Sequence, residues 1–154
     1  MGPGARAVAK LAEFDASALV KLVVEEGGSE LVAELWDRCD TATSSRLAYA
    51  EVCAALAASF RNREIDAAGY QQAKADWDEF WRAVRPVEAT VSVELVAGAV
   101  AERRLLRGAD AVRLASVLAL DHDDLVFAVW DERLHRGAIA EAICVVPDQI
   151  AAPG

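Results

Sequence analysis

The segment Leu125–Trp130, LVFAVW, restricts the fold more than any other part of the chain. It is a continuous apolar run with no polar face, so a strand built from it must be covered on both sides, as strands of parallel sheets are. Three further pieces read as strands: Leu11–Phe14, interrupted by Glu13; the short β-prone piece Thr41–Ser44; and Ile143–Val146. Segments of helical period lie between them. Ser17–Val24 predicts a short helix. After the Gly27-Gly28 break, Ser29 caps a helix to about Asp37, with Leu31, Val32, Leu35 and Trp36 on one face. Ser45 to about Asn62 is an alanine-rich helix. Asp66–Val84 is another, carrying the stripe Trp77, Phe80, Trp81 and Val84, and Pro86 stops it. Helices are also predicted over Ser92–Leu106, over Ala109 to about Ala119 after the Gly108 break, and after Asp131. Alternating strands and helices with continuous apolar strands predict an α/β fold, a parallel sheet with helices on both faces.

No internal repeat or linker interrupts this pattern, and 154 residues suit one domain. We expect a flexible leader over 1–10, the domain over 11–147 and a tail over 148–154. The leader lacks the apolar core of a signal peptide, and no apolar run approaches the roughly 18 residues that span a bilayer. Three cysteines, Cys39, Cys53 and Cys144, show no CxxC spacing and no Cys/His cluster, which disfavours a zinc site or a disulfide framework. A reducing cytoplasm is the matching location. The net charge of −9 counts against a protein that simply coats nucleic acid, where Lys and Arg contacts to phosphate dominate affinity. It is compatible with a metal-dependent nuclease, in which cations bridge carboxylates and phosphates, and with a chain covered by a basic partner.

The informative signal is acid in apolar company. Glu51 is the only charge in LAYAEVCAALAASF, residues 47–60. It sits beside the packing face of its helix, where a lone carboxylate is unfavourable unless paired or metal-bound. Pairing with an arginine from another helix, or exposure to solvent, is the alternative. Asp15 follows the first strand, at the end where α/β sheets bind ligands; a helix cap is its ordinary role, but Ser17 is the better cap, which leaves Asp15 free. Asp110 lies in the first turn of a helix, where the dipole favours a carboxylate, and capping would explain it equally. Asp131 ends the strongest strand, where a turn residue is the plain alternative. A parallel sheet gathers strand C-termini and helix N-termini at one edge. Four carboxylates crowded there would repel one another, and Mg²⁺ or Mn²⁺, which take oxygen ligands, would relieve that repulsion.

DASALVKL at 15–22, SSRLAYAEVCAAL at 44–56, GADAVRLASVLAL at 108–120 and VWDERL at 129–134 resemble, in order and spacing, the four acidic motifs of PIN domains, in particular those of VapC toxins from bacterial VapBC toxin–antitoxin pairs. The resemblance runs from about Phe14 to Pro147. It implies a three-layer α/β/α sandwich with a central parallel sheet, a homodimer, Mg²⁺- or Mn²⁺-dependent endonucleolysis of RNA by a metal-activated water, and inhibition by a VapB-type antitoxin. Asp15, Glu51, Asp110 and Asp131 match the family's metal-binding and catalytic acids. Ser17 matches a hydroxyl residue that can hold metal-bound water. The sequence departs from the family at Val129, where many members carry Thr or Ser.

Candidate RNA contacts are Arg113, Arg46 and Lys21, with Arg103, Arg104 and Arg107 clustered before Asp110; for any single one a solvated, charge-paired helix face is the commoner role. His122 and His135 suggest surface or turn positions. The Trp77–Phe80–Trp81 stripe reads first as core, and second as a seat for an antitoxin helix. A phosphatase with an aspartyl nucleophile would usually show DxD at the first strand, and Ser17 stands in the second position instead. A non-catalytic PIN-like module that binds RNA or protein is the remaining alternative, against which all four acids are present.

Overall fold

A computed structural model describes residues 10–151; the expected leader apart from Lys10, and the end of the expected tail, lie outside the described residues. Five strands, β1 (Leu11–Phe14), β2 (Thr41–Ser45), β3 (Arg85–Val87), β4 (Leu125–Ala128) and β5 (Val145–Val146), form one sheet in the order β3-β2-β1-β4-β5. Every pairing is parallel. The helices are α1 (Ala16–Leu19, continued by a 3-10 turn at Val20–Leu22), α2 (Ser29–Arg38), α3 (Ala48–Arg61), α4 (Ala67–Ala83), α5 (Val91–Arg104), α6 (Gly108–Leu118) and α7 (Glu132–Ala140).

Strand alternation divides the core in two. Phe14 and Ala128 pack with Leu19, Val32, Val52, Leu56 and Trp77 from the first four helices. Phe127 and Val129 face the other way, against Val100, Leu114, Val117 and Leu134 from the last three. Helices therefore cover both faces, as the continuous apolar run of β4 requires. Each such side chain, once buried, contributes roughly 1.5–3 kcal/mol. Trp77 belongs to this core: it is buried, stacks on Tyr49 and donates its indole N–H to the Tyr49 carbonyl at 3.3 Å.

The chain winds outward from β1 through β2 to β3, then returns across the opposite face through α5 and α6 to β4. The direction of winding reverses between β1 and β4. In open α/β sheets the crevice outside the carboxyl ends of such strands is the usual ligand site.

Several local features differ from the sequence expectation. Pro86 stops α4, yet it also sits in β3, unpredicted from the sequence; this is an edge strand, where a missing N–H is tolerated. The third helix starts at Ala48 rather than Ser45, because Ser44 and Ser45 pair with Pro86 and Val87 in the sheet. Gly28, not Ser29, caps α2. Its φ of +92° and the Trp130 ring, 2.8 Å from where a Cβ would stand, both demand glycine. His135 is buried rather than superficial, with Nε2 2.8 Å from the Pro147 carbonyl oxygen. Cys39, Cys53 and Cys144 are free thiols. Among the described residues, no helix is long and apolar enough to cross a membrane.

Candidate active site

Asp15 is the first residue beyond β1, and the sheet itself holds it. Its N–H donates to the Ala128 carbonyl at 2.9 Å, extending the β1–β4 ladder by one bond. Its carboxylate caps α1, correcting the expectation that Ser17 is the cap: Oδ2 accepts from the Ser17 N–H at 3.1 Å and from the Ser17 hydroxyl at 2.5 Å. The same hydroxyl accepts from the Trp130 N–H at 2.9 Å. Ser17 thus joins the ends of the two central strands and orients the carboxylate between them.

Glu51, in the first turn of α3, and Asp110, in the first turn of α6, approach from opposite layers. They meet at Arg113, one turn after Asp110. Arg113 Nε donates to Glu51 Oε1 at 3.0 Å, and Nη2 pairs with Glu51 Oε2. Nη1 donates to Asp110 Oδ1 at 2.9 Å. Asp15 Oδ1 lies 3.9 Å from Nε, an ion pair beyond hydrogen-bond length. The alternative in which Glu51 pairs with an arginine from another helix is therefore realised, and it coincides with the gathering of the acids. Asp131 caps α7, its Oδ1 accepting from the Leu134 N–H at 2.9 Å. With Asp110, Arg113, Arg107 and Arg133 it lines a cavity of about 460 Å³.

The electrostatics are unbalanced. Three carboxylates face one guanidinium, leaving a formal excess of two negative charges. Burial pushes the Asp15 carboxyl above the usual carboxylate range; the Ser17 bonds and Arg113 oppose the rise without cancelling it, and Asp131 adds to it. Burial likewise raises Glu51, against the pull of Arg113. For Arg113 burial alone would lower the pKa, but Asp15, Glu51 and Asp110 outweigh it and hold the guanidinium charged.

The donor set, carboxylate oxygens with a surplus of negative charge, suits a hard divalent cation. In the conformation described, Arg113 supplies the counter-charge, and among the described residues no three Asp, Glu, His or Cys side chains close tightly enough to hold a metal ion. For Asp15, Glu51 and Asp110 to share an ion, the guanidinium must withdraw.

The other expected contacts lie elsewhere. Arg46 pairs with exposed Glu88, and Lys21 with Glu26, its ammonium over the Trp130 ring. Arg103 and Arg104 share Glu141. Sequence reasoning passed over Glu13, which is 2% exposed, accepts from the Thr43 hydroxyl, and is pushed up to about 8 by burial, with Asp15 adding to the rise. The signal was a charge inside a strand, treated there only as an interruption.

No family model matches the chain. Two curated proteins from strains of Mycobacterium tuberculosis, Ribonuclease VapC45 and Ribonuclease VapC49, are each 55% identical to it over 140 residues, covering 91% of this chain and 97% of each relative. Among solved structures, that of VapBC2 from Rickettsia felis bound to a DNA fragment from their promoter superposes with a TM-score of 0.59 at 11% identity, covering 88% of this chain and 96% of that one, so the α/β/α sandwich is of the kind found there. Identity at that level along nine-tenths of the sequence makes the chain a member of the VapC ribonuclease family.

Proposed function

We propose that the chain is an endoribonuclease and the toxin of a toxin–antitoxin pair, hydrolysing RNA phosphodiesters with Mg²⁺ or Mn²⁺ at the carboxyl edge of the sheet. The observation that carries this is the convergence of Asp15, Glu51 and Asp110, from a strand end and two opposed helices, on a single guanidinium at the crevice between β1 and β4. Asp15, Glu51 and Asp110 would hold the ion, and Asp131 lines the cavity that Asp110 also faces. When bound, the ion supplies charge stabilisation at the phosphate and a more acidic water. Ser17 keeps the Asp15 carboxylate turned into the crevice. Arg113 balances the charge of the three acids.

The activity test is cleavage of single-stranded RNA. Cutting should need Mn²⁺ or Mg²⁺, stop with a chelator, and be lost in Asp15→Asn with the fold intact. Equal cleavage by Asp15→Asn would sink the assignment, and calorimetry showing little carboxylate-dependent binding of Mn²⁺ would favour the non-catalytic module.

The family also suggests a VapB-type antitoxin, a homodimer and a cytoplasmic location. A net charge of −9 suits a basic antitoxin segment. For the dimer, α5 presents Val91 and Leu95, 71% and 70% exposed and one turn apart. A second copy covering them would explain two large apolar side chains in water. Light scattering of the parent and of Leu95→Asp measures this directly, with a monomeric parent as the contrary result.

A further inference from the structure

Arginines concentrate where the last three helices meet. Arg103 and Arg104 end α5, Arg107 precedes α6, and Arg133 and Arg136, three residues apart, share one face of α7. Two depressions run along this seam. One, about 460 Å³, is lined by Asp110 and Asp131 together with Arg107 and Arg133. The next, about 450 Å³, is lined by Arg103, Arg104, Arg133 and Arg136. Arg133 borders both, so the two depressions lie side by side, the first against Asp110 and Asp131 and the second among arginines.

The charge pairing is uneven across them. Arg103 and Arg104 divide a single carboxylate, Glu141. Among the described residues no ion pair holds Arg107, Arg133 or Arg136, although Glu132 also lines the first depression. What sets these three apart is their placement: Arg107 and Arg133 line the depression that also holds Asp110 and Asp131, and Arg133 and Arg136 line the next. Arg113, Arg46 and Lys21 are each already engaged with carboxylates.

We propose that these two neighbouring depressions bind the phosphate backbone of the RNA on one side of the bond to be cut, with Arg107, Arg133 and Arg136 each meeting a phosphate. The proposal rests on the nuclease reading and deepens it. It divides the labour by charge: the acidic crevice takes the reacting phosphate only with a cation, while the neighbouring phosphates meet guanidinium groups directly. Guanidinium suits this task, since its planar fork of donors matches phosphate oxygens.

The test separates binding from cutting. In an Asp15→Asn background, binding of a short fluorescein-labelled single-stranded oligouridylate is followed by anisotropy across a KCl series. Combining R107A, R133A and R136A should lower the steepness of log K against log salt by about 2, at about 0.7 per lost single-strand contact, and weaken low-salt binding by about tenfold or more. The pair R61A and R63A, exposed arginines at the end of α3, should change neither. With Asp15 intact, the triple variant should raise KM while leaving kcat within about threefold, the mark of lost uniform binding. An unchanged salt slope in the triple variant overturns the proposal and points to an acidic protein segment as the occupant. An equal loss in the R61A/R63A control overturns it as well. Neither result touches the nuclease reading, which fails separately if Asp15→Asn cuts RNA as fast as the parent.

Discussion

Two buried acids on β1 and its end, Glu13 and Asp15, are two residues apart and handled in opposite ways. Glu13 is buried beside β2, where the Thr43 hydroxyl is its partner and no ion pair reaches it among the described residues. Its carboxyl rises to about 8, so at neutral pH it is largely a neutral acid. Asp15 stands at the crevice, with the Ser17 hydroxyl and amide on one oxygen and Arg113 beside the other. Its pKa is also raised, yet it sits among groups that stabilise charge. A buried carboxyl can be tolerated by losing its charge or by recruiting opposite charge, and only the second course leaves an oxygen able to bind a cation.

The sharpest break of this contrast is in activity. Asp15→Asn should lower RNA cleavage by on the order of a thousandfold, the scale of removing one preorganised electrostatic group, while Glu13→Gln should leave cleavage within a few-fold; similar losses from both would erase the distinction. Next is stability without metal. Arg113→Ala leaves carboxylates facing one another, and the melting free energy should fall by about 3 kcal/mol in chelator, with much of it regained on adding Mn²⁺. A variant as stable as the parent in chelator would show that the acids are not under tension.

The third prediction concerns pH. Unfolded, Glu13 titrates near its ordinary 4.5, and folded near 8. Folding therefore retains a proton across that window, so this group's contribution declines as pH rises from 4.5 towards 8 and is level above it. Glu13→Gln should flatten that decline and be the more stable protein at pH 8, by a few kcal/mol; chemical denaturation at both ends of the window measures it. The smallest effect belongs to Ser17→Ala, which removes one hydroxyl bridge: about 1 kcal/mol of stability and about a tenfold weaker Mn²⁺ affinity by calorimetry.

Much of the architecture was legible because its signals are local. The apolar run of β4 demanded two covering layers, and helical periods and breakers placed every helix. β3 was not legible: Arg85-Pro86-Val87 has no strand pattern, and it is a strand only because the Ser44–Ser45 edge pairs with it. The acids announced themselves by charge in apolar surroundings. Their common partner did not. Arg113 to Asp110 is a helical neighbour relation open to inspection, but its reach to Glu51, 62 residues away, belongs to the folded layers alone. The sequence offers Ser17 as a cap in competition with Asp15. The two residues divide the work instead, carboxylate as cap and hydroxyl as bridge.

That bridge joins residues far apart in the chain. Asp15 is indexed to a strand translated more than a hundred residues later, through its own amide on Ala128 and through Ser17 on Trp130. A chain still emerging from the ribosome without β4 lacks both of those anchors and keeps only the local bonds between Asp15 and Ser17. The position of Asp15 relative to the sheet is therefore complete only once β4 has paired with β1.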